Sequence, residues 1–248
     1  MTIKLNDELI EVVQHANPNI DHIKILIKEG ADVNIRADNK FTPLMFAIAE
    51  GHKEIVEILI DAGADIYATL DGGAAALAIA ASKGNEEILK ILLKKGEYNY
   101  ILTNTALLYA VVNGYNSSEV VKILLEAKAD PNASTENGRT ALMLAVEYSK
   151  FDKISASWKI EIIKLLLEKG ADIEAEDKDG NTSLMIATIL GKTEIVELLK
   201  SKLKTINKNQ LNLDNIKQEK MLDLQNNYVK NNTPDTSNEE TELNKNEN

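Results

Sequence analysis

Between Thr42 and Ile60 the apolar residues fall into two groups with helical spacing. Leu44, Ala47 and Ile48 share one face at i, i+3 and i+4, and Ile55, Val56, Leu59 and Ile60 make the face of a second helix. The polar positions punctuate them. Thr42 can cap the first helix with its hydroxyl, and Pro43 follows at the first helical position, where a missing N–H costs nothing. Gly51 supplies the turn between the helices and Gly63 the stop after the second. Two helices of this length cannot bury such faces alone, so the pair needs neighbours of its own kind.

Those neighbours are written along the chain. Gly30-Ala31-Asp32-Val33-Asn34 closes one unit, and glycine recurs at Gly63 and Gly96, each 33 positions on. Lys128-Ala129-Asp130-Pro131-Asn132 and Gly170-Ala171-Asp172-Ile173-Glu174 continue the series. Six units are expected, over about 1–34, 35–67, 68–100, 101–132, 133–174 and 175–204. The first has no Thr-Pro-Leu start; Leu5, Leu9, Ile10 and Val13 form its first face and Ile23, Leu26 and Ile27 its second, as suits an amino-terminal cap. The third begins Ala75-Ala76-Leu77, the fourth Thr105-Ala106-Leu107, the fifth Thr140-Ala141-Leu142 and the sixth Thr182-Ser183-Leu184.

The unit resembles the ankyrin repeat: Thr42-Pro43-Leu44 with Ala47, then Gly51-His52 with Ile55-Val56, then Gly63-Ala64-Asp65-Ile66. The resemblance implies an all-α solenoid of about six helix-turn-helix repeats joined by short β-hairpin loops. It implies a protein-binding role, with hairpin tips and the exposed sides of the first helices forming one concave surface. Carried over position by position, that surface comprises Arg36, Asp38, Asn39, Phe41 and Glu50, then Thr69, Asp71 and Lys83. It continues through Tyr100, Leu102 and Asn113, then Ser134, Glu136, Arg139, Glu147 and Tyr148, and ends at Glu176, Lys178, Asp179 and Asn181. Phe41, Tyr100, Arg139 and Tyr148 are the anchors expected to dominate binding, because aromatic and Arg side chains do so at interfaces. Phe41 and Tyr100 serve equally well as packing between adjacent hairpins. A surface of this length could supply the ~800 Å² per partner of a standard interface.

The chain departs from the pattern in several places. The histidine that the family carries after Pro-Leu is replaced by Met45, Ala78, Leu108, Met143 and Met185, and Lys40 stands where Gly73, Gly138 and Gly180 keep the hairpin glycine. In unit four Thr105 lies only 9 positions after Gly96, against 12 from Gly30 to Thr42, which predicts a shortened hairpin through Tyr98, Tyr100, Ile101 and Leu102. In unit five Glu161 lies 21 positions after Thr140, against 12 from Thr42 to Glu54. The nine extra residues fall within 149–159 and include Phe151 and Trp158, an exposed anchor or a small local core. After about Leu203 the composition turns polar and Asn-rich: Leu213, Ile216, Met221, Leu224 and Tyr228 suit one amphipathic helix within 205–230, and 231–248 reads as a disordered acidic tail.

Composition narrows the chemistry. Across 248 residues, 44% are hydrophobic but only 4% aromatic, which fits thin layers of Leu, Ile, Val and Ala. A net charge of −11 argues against nucleic acid and anionic membrane as partners, since phosphates must be met by Lys and Arg. With no cysteine there is no disulfide or thiolate chemistry, and no stretch approaches the ~18–20 apolar residues of a membrane span. The acidic start lacks a Sec-type signal, so the expected compartment is the cytoplasm and the expected state a monomer. His15, His22 and His52 have no partners at metal spacing; His52 is expected to hydrogen-bond locally in its turn, and the other two to lie at the surface. Gly191-Lys192-Thr193 lacks the earlier glycine of a phosphate loop, with Ile186 in its place, and the acidic run Glu174, Glu176, Asp177 and Asp179 reads as a solvated loop. No catalytic residue, metal or cofactor is expected. The reading is a non-catalytic interaction module or scaffold whose protein partner is unidentified. An effector of an intracellular microbe acting on a host protein, translocated by way of the polar tail, and a regulatory inhibitor subunit of an enzyme are more specific versions. An enzyme using the insertion or tail is the rival class.

Overall fold

In a computed structural model the described residues are 2–70, 73–113, 118–147 and 155–208. The chain divides into two compact units, 1–196 and 197–248. In the first, helices alternate in pairs: α1 (Thr2–Gln14) with α2 (Ile20–Lys28), α3 (Pro43–Glu50) with α4 (Lys53–Asp61), and α5 (Ala76–Ser82) with α6 (Glu86–Lys95). Then come α7 (Tyr100–Asn113) with α8 (Ser118–Glu126), α9 (Ala141–Glu147) with α10 (Ser155–Glu168), and α11 (Ser183–Ile189), followed by a helix starting at 193. The first helices pack in one row, α1 on α3, α3 on α5, α5 on α7, α7 on α9 and α9 on α11, while α4, α6, α8 and α10 form a second row behind them. In the second unit residues 197–208 are helical, with Thr205 Oγ1 donating to Ser201 O at 3.1 Å. The expected amphipathic helix beyond 208 and the acidic tail lie outside the described residues.

Both rows are built from columns of like residues. Ala47, Ala80, Ala110, Ala145 and Ala187 occupy one repeat position and are all buried, as are Leu59, Leu92, Leu124 and Leu166 at another. The alanines let neighbouring first helices approach closely; the leucines fill the layer between first and second helices. Met45 and Met143 are 1% exposed, but Met185 at the same position is 50% exposed, since no further first helix follows α11 among the described residues.

Caps explain where the helices start. Thr42, Thr140 and Thr182 accept from Met45 N, Met143 N and Met185 N, each at 3.3 Å. Ala75 has no hydroxyl, and α5 starts without a side-chain cap. Ahead of these caps the loops turn tightly. Only two show an antiparallel bridge among the described residues, Thr69 with Ala75 and Ser134 with Thr140, so the expected β-hairpins reduce to single rungs. Lys40 takes the hairpin glycine's positive φ of 68°, and Lys128 takes 67° at a unit end.

Unit four is where sequence reasoning went astray. The shortened hairpin through Tyr98, Tyr100, Ile101 and Leu102 does not form. The chain runs from extended Gly96, with no positive φ, directly into α7, which Asn99 starts by accepting from Leu102 N at 3.0 Å. Thr105, read as a cap, lies inside α7 and donates to Ile101 O at 2.8 Å. Gly96 is required here by space: a Cβ would stand 2.6 Å from Ile66 Cδ1 and 2.8 Å from Tyr98 Cε2.

Two stability tests follow. Leu59→Ala should cost roughly 2–5 kcal/mol in urea denaturation, as buried Leu truncations do, and hydrogen exchange should show units two and three loosening before unit six. Ala75→Thr should add about 1 kcal/mol by restoring the cap hydroxyl. Uniform loosening along the array in the first variant, or no gain in the second, would contradict this account.

Candidate protein-binding surface

The unit boundaries are set by polar side chains that reach into the next repeat. Asp32, Asp65, Asp130 and Asp172 each accept from the N–H two residues on, at 2.8–2.9 Å, which closes the turn after every second helix that ends this way. Asn34 then bridges forward, accepting from Asp65 N at 2.7 Å and donating to Gly63 O at 3.1 Å. Asn132 repeats the bridge to Asp172 N and Gly170 O. At the unit-three boundary Tyr67 replaces the asparagine, and its hydroxyl accepts from Glu97 N at 2.8 Å.

Basic side chains at a second repeat position tie the turn side. His52 Nε2 lies 2.9 Å from His15 O, so its hydrogen bond reaches back to unit one and is not the local one expected. Lys159, at the same repeat position, is 1% exposed and donates to Val111 O at the C-terminal end of α7. Lys192 donates to Val146 O and, at 3.1 Å, to Glu147 O at the end of α9. Each places positive character against the carbonyls that end a preceding first helix. Lys192 is thus a helix-end contact, which accounts for the Gly191-Lys192-Thr193 sequence without a phosphate. Half-buried Trp158 lies beneath the Lys159 ammonium, 4.3 Å from ring centre to Nζ; Phe151 is outside the described residues. Burial, and secondarily the Lys192 charge, lowers the Lys159 pKa from its ordinary value to about 8.

The loop-and-first-helix side holds the carried-over residues. Asp38, Glu50, Lys83, Asn113, Glu136, Glu176, Lys178 and Asp179 are exposed; Asp71 and Tyr148 fall outside the described residues. Arg36 is exposed, yet its Nη1 donates to Thr69 O at 3.0 Å and Lys40 O at 3.3 Å, joining loop two to loop three. Asn39 accepts from Phe41 N, and the half-buried Phe41 ring leans on Phe46 at 5.1 Å. Thr69 and Ser134 sit in the two bridges. Tyr100 is 70% exposed and Leu102 half-buried, both on α7 and not on a loop. Arg139 is half-buried; its Nη1 donates to Glu147 and its Nε lies 3.5 Å from Asp177 Oδ2. The acidic run is therefore not wholly solvated. Asp177 is buried, accepting from Asn181 N at 2.8 Å and Asp179 N at 3.0 Å, and these bonds, the Asn181 N–H first, lower its pKa.

Sequence reasoning missed the solvent side of α7, where Ile101 and Tyr109 are 55% and 37% exposed, and the Asp177–Arg139–Glu147 cluster. The 9-residue spacing of Gly96 and Thr105 was the one available signal for the first. Among the described residues no group of three His, Asp or Glu is placed to hold a metal ion, and no helix is long and apolar enough to cross a membrane.

A family model of ankyrin repeats matches residues 9–101, 77–156 and 107–212. The chain belongs to the ankyrin repeat family. Solved structures agree in fold. One, described as EF0377, an ankyrin repeat protein, superposes with a TM-score of 0.68 at 28% identity, covering 79% of this chain and 97% of the other. A chain from the complex of the Bd0816 predatory endopeptidase of Bdellovibrio bacteriovorus with immunity protein Bd3460 superposes with a TM-score of 0.65 at 23% identity, covering 78% and 97%. Among curated proteins none shows a significant match.

The Lys159 shift makes a pH prediction. Unfolded, this amine holds its proton to its ordinary 10.5; folded, it releases it near 8. Between these values the unfolded chain binds more protons, so this group makes stability rise with pH. Lys159→Met should remove that rise, and the wild-type minus variant stability should grow on the order of 1–3 kcal/mol from pH 8 to 10. Parallel urea-denaturation curves for the two proteins at every pH would refute it.

Proposed function

We propose that this ankyrin chain is a non-catalytic protein-binding scaffold that grips its partner on the concave side of loops and first helices. The supporting observation is a division of labour among side chains. On the second helices and in the turns, long polar groups are spent on neighbouring repeats: Lys53 with Glu87, Lys95 with Asp61, Lys159 and Lys192 with helix ends. On the loop side Asp38, Glu50, Lys83, Glu136, Glu176 and Asp179 are exposed and take no part in those ties. Nothing in the fold calls for them, whereas a partner could use them. The surplus of carboxylates there favours a cationic partner, with association slowed as salt screens the field.

The test is cross-linking with mass spectrometry on partners bound by the full chain. Asp38, Glu50 and Lys83 changed together to Ala should reduce capture about tenfold. The same number of changes on the back row, Glu57, Lys90 and Lys164, should leave it unaltered. Equal losses from both sets would remove the concave side as the binding face.

A further inference from the structure

The break in the repeat at unit four leaves a groove that a regular array would lack. In units two and three the loops are joined side by side, Arg36 Nη1 to Thr69 O, and in units five and six Lys178 N donates to Asn137 O at 3.0 Å. Unit four has no loop to set between them, because the chain enters α7 at Tyr100. The helix faces solvent along Ile101, Thr105, Leu108, Tyr109 and Val112, one stripe at i, i+4, i+7, i+8 and i+11. Gly73 of loop three stands on one side of this stripe and Ser134–Glu136 of loop five on the other, enclosing about 600 Å³.

We propose that this groove receives a segment of the partner protein carrying one or two large apolar side chains flanked by Lys or Arg. The inference rests on the concave-side reading and names the chemistry of its partner. Three features support it. First, the floor is apolar and exposed on a helix that could have been polar there; Ile101 and Tyr109 are 55% and 37% exposed. Second, the stripe from Ile101 to Val112 is roughly 17 Å long at 1.5 Å per residue, the span of about five extended residues. A volume within the ~300–1,000 Å³ of ligand pockets then accommodates side chains of that segment.

Third, the wall beyond is acidic. At the tips of loops five and six, residues 134–138 and 176–180, Glu136, Glu176 and Asp179 are exposed against one exposed cation, Lys178. The Arg139 guanidinium cannot offset them, being held by Glu147 and Asp177. In addition, Glu136 holds the repeat position of Lys178, whose N–H bonds the preceding loop; the Glu136 N–H makes no hydrogen bond among the described residues and is placed to meet a segment's carbonyl. An apolar anchor with basic flanks satisfies floor and wall together, whereas an acidic or wholly polar segment satisfies neither.

The experiment selects randomised 12-residue peptides displayed on phage against the full chain, then measures Kd by fluorescence anisotropy at low and high salt. Selected peptides should combine a large apolar residue with net positive charge. Ile101→Ser should weaken them about tenfold, and Glu136→Lys several-fold, with the salt dependence flattened. Lys90→Ala, on the back row, should leave them unchanged. Thermal melting by circular dichroism confirms that each variant folds; Ile101, Glu136 and Lys90 are all exposed. Peptides lost with the combined Asp38, Glu50 and Lys83 change but not with Ile101→Ser would overturn the groove while keeping the concave side. Failure to select any peptide, selection of acidic ones, or an Ile101-dependent dimer in sedimentation would overturn the proposal outright.

Discussion

Helices of seven to nine residues form here only because each finds its apolar face covered by the next pair, and the closeness of that cover is set by alanine. Five of the first helices carry alanine at one position, Ala47, Ala80, Ala110, Ala145 and Ala187, all at or below 1% exposure. With no exposed space around these methyl groups, a larger β-branched residue there would overpack the row. Closeness in the front row also fixes what the back row must be. Leucine fills the layer behind it, with Leu59, Leu92, Leu124 and Leu166 all at 0% exposure.

Apolar columns alone would leave the repeat register loose, since any layer of Leu and Ala accepts another. The polar ties remove that freedom. Asn34 and Asn132 each satisfy one donor and one acceptor of the following unit, a geometry that a shift of one residue would break. Relatives are expected to tie repeats through a histidine after Pro-Leu, and this chain has Met45, Ala78, Leu108, Met143 and Met185 there. Basic side chains at the inter-helix turn supply connections between repeats instead. His52, Lys159 and Lys192 reach helix ends one unit back. At Lys159 this costs burial of an ammonium, offset by a carbonyl, a helix end and an indole face.

Most of the architecture could be read from residues whose physical roles are local. Thr42, Pro43 and Gly51 specify a helix start and stop without reference to the rest of the chain, and repetition at 33 residues does the remainder. What escaped was contextual. The sequence Glu97-Tyr98-Asn99-Tyr100 looks like a trimmed hairpin if Thr105 is taken as a cap, but Asn99 caps one turn and a half earlier, and a helix once started continues through Thr105. Asp177 gave no sign of burial among three acidic neighbours, because its depth depends on Arg139 and Asn181 arriving from the loop geometry. The basic residues at the turn position, His52, Lys159 and Lys192, were visible only as separate motifs, since nine inserted residues hide the alignment of Lys159 with the other two.

A one-dimensional array also explains why unit four can deviate at all. Each repeat is covered only by its neighbours, so a missing loop is compensated within units three to five. The compensation is visible: four of the seven residues of α5 are alanine, and the extended α7 packs along it while Thr103 buries its hydroxyl against Asn99 and Tyr100 carbonyls. Unit four has therefore exchanged a polar loop for an extra turn and a half of helix at no cost to the layers on either side. The exchange leaves Ile101 and Tyr109 facing water, which the folded chain gains nothing from. Stability by itself would favour polar residues on that stripe, whereas the apolar ones present suit the partner segment proposed for the groove.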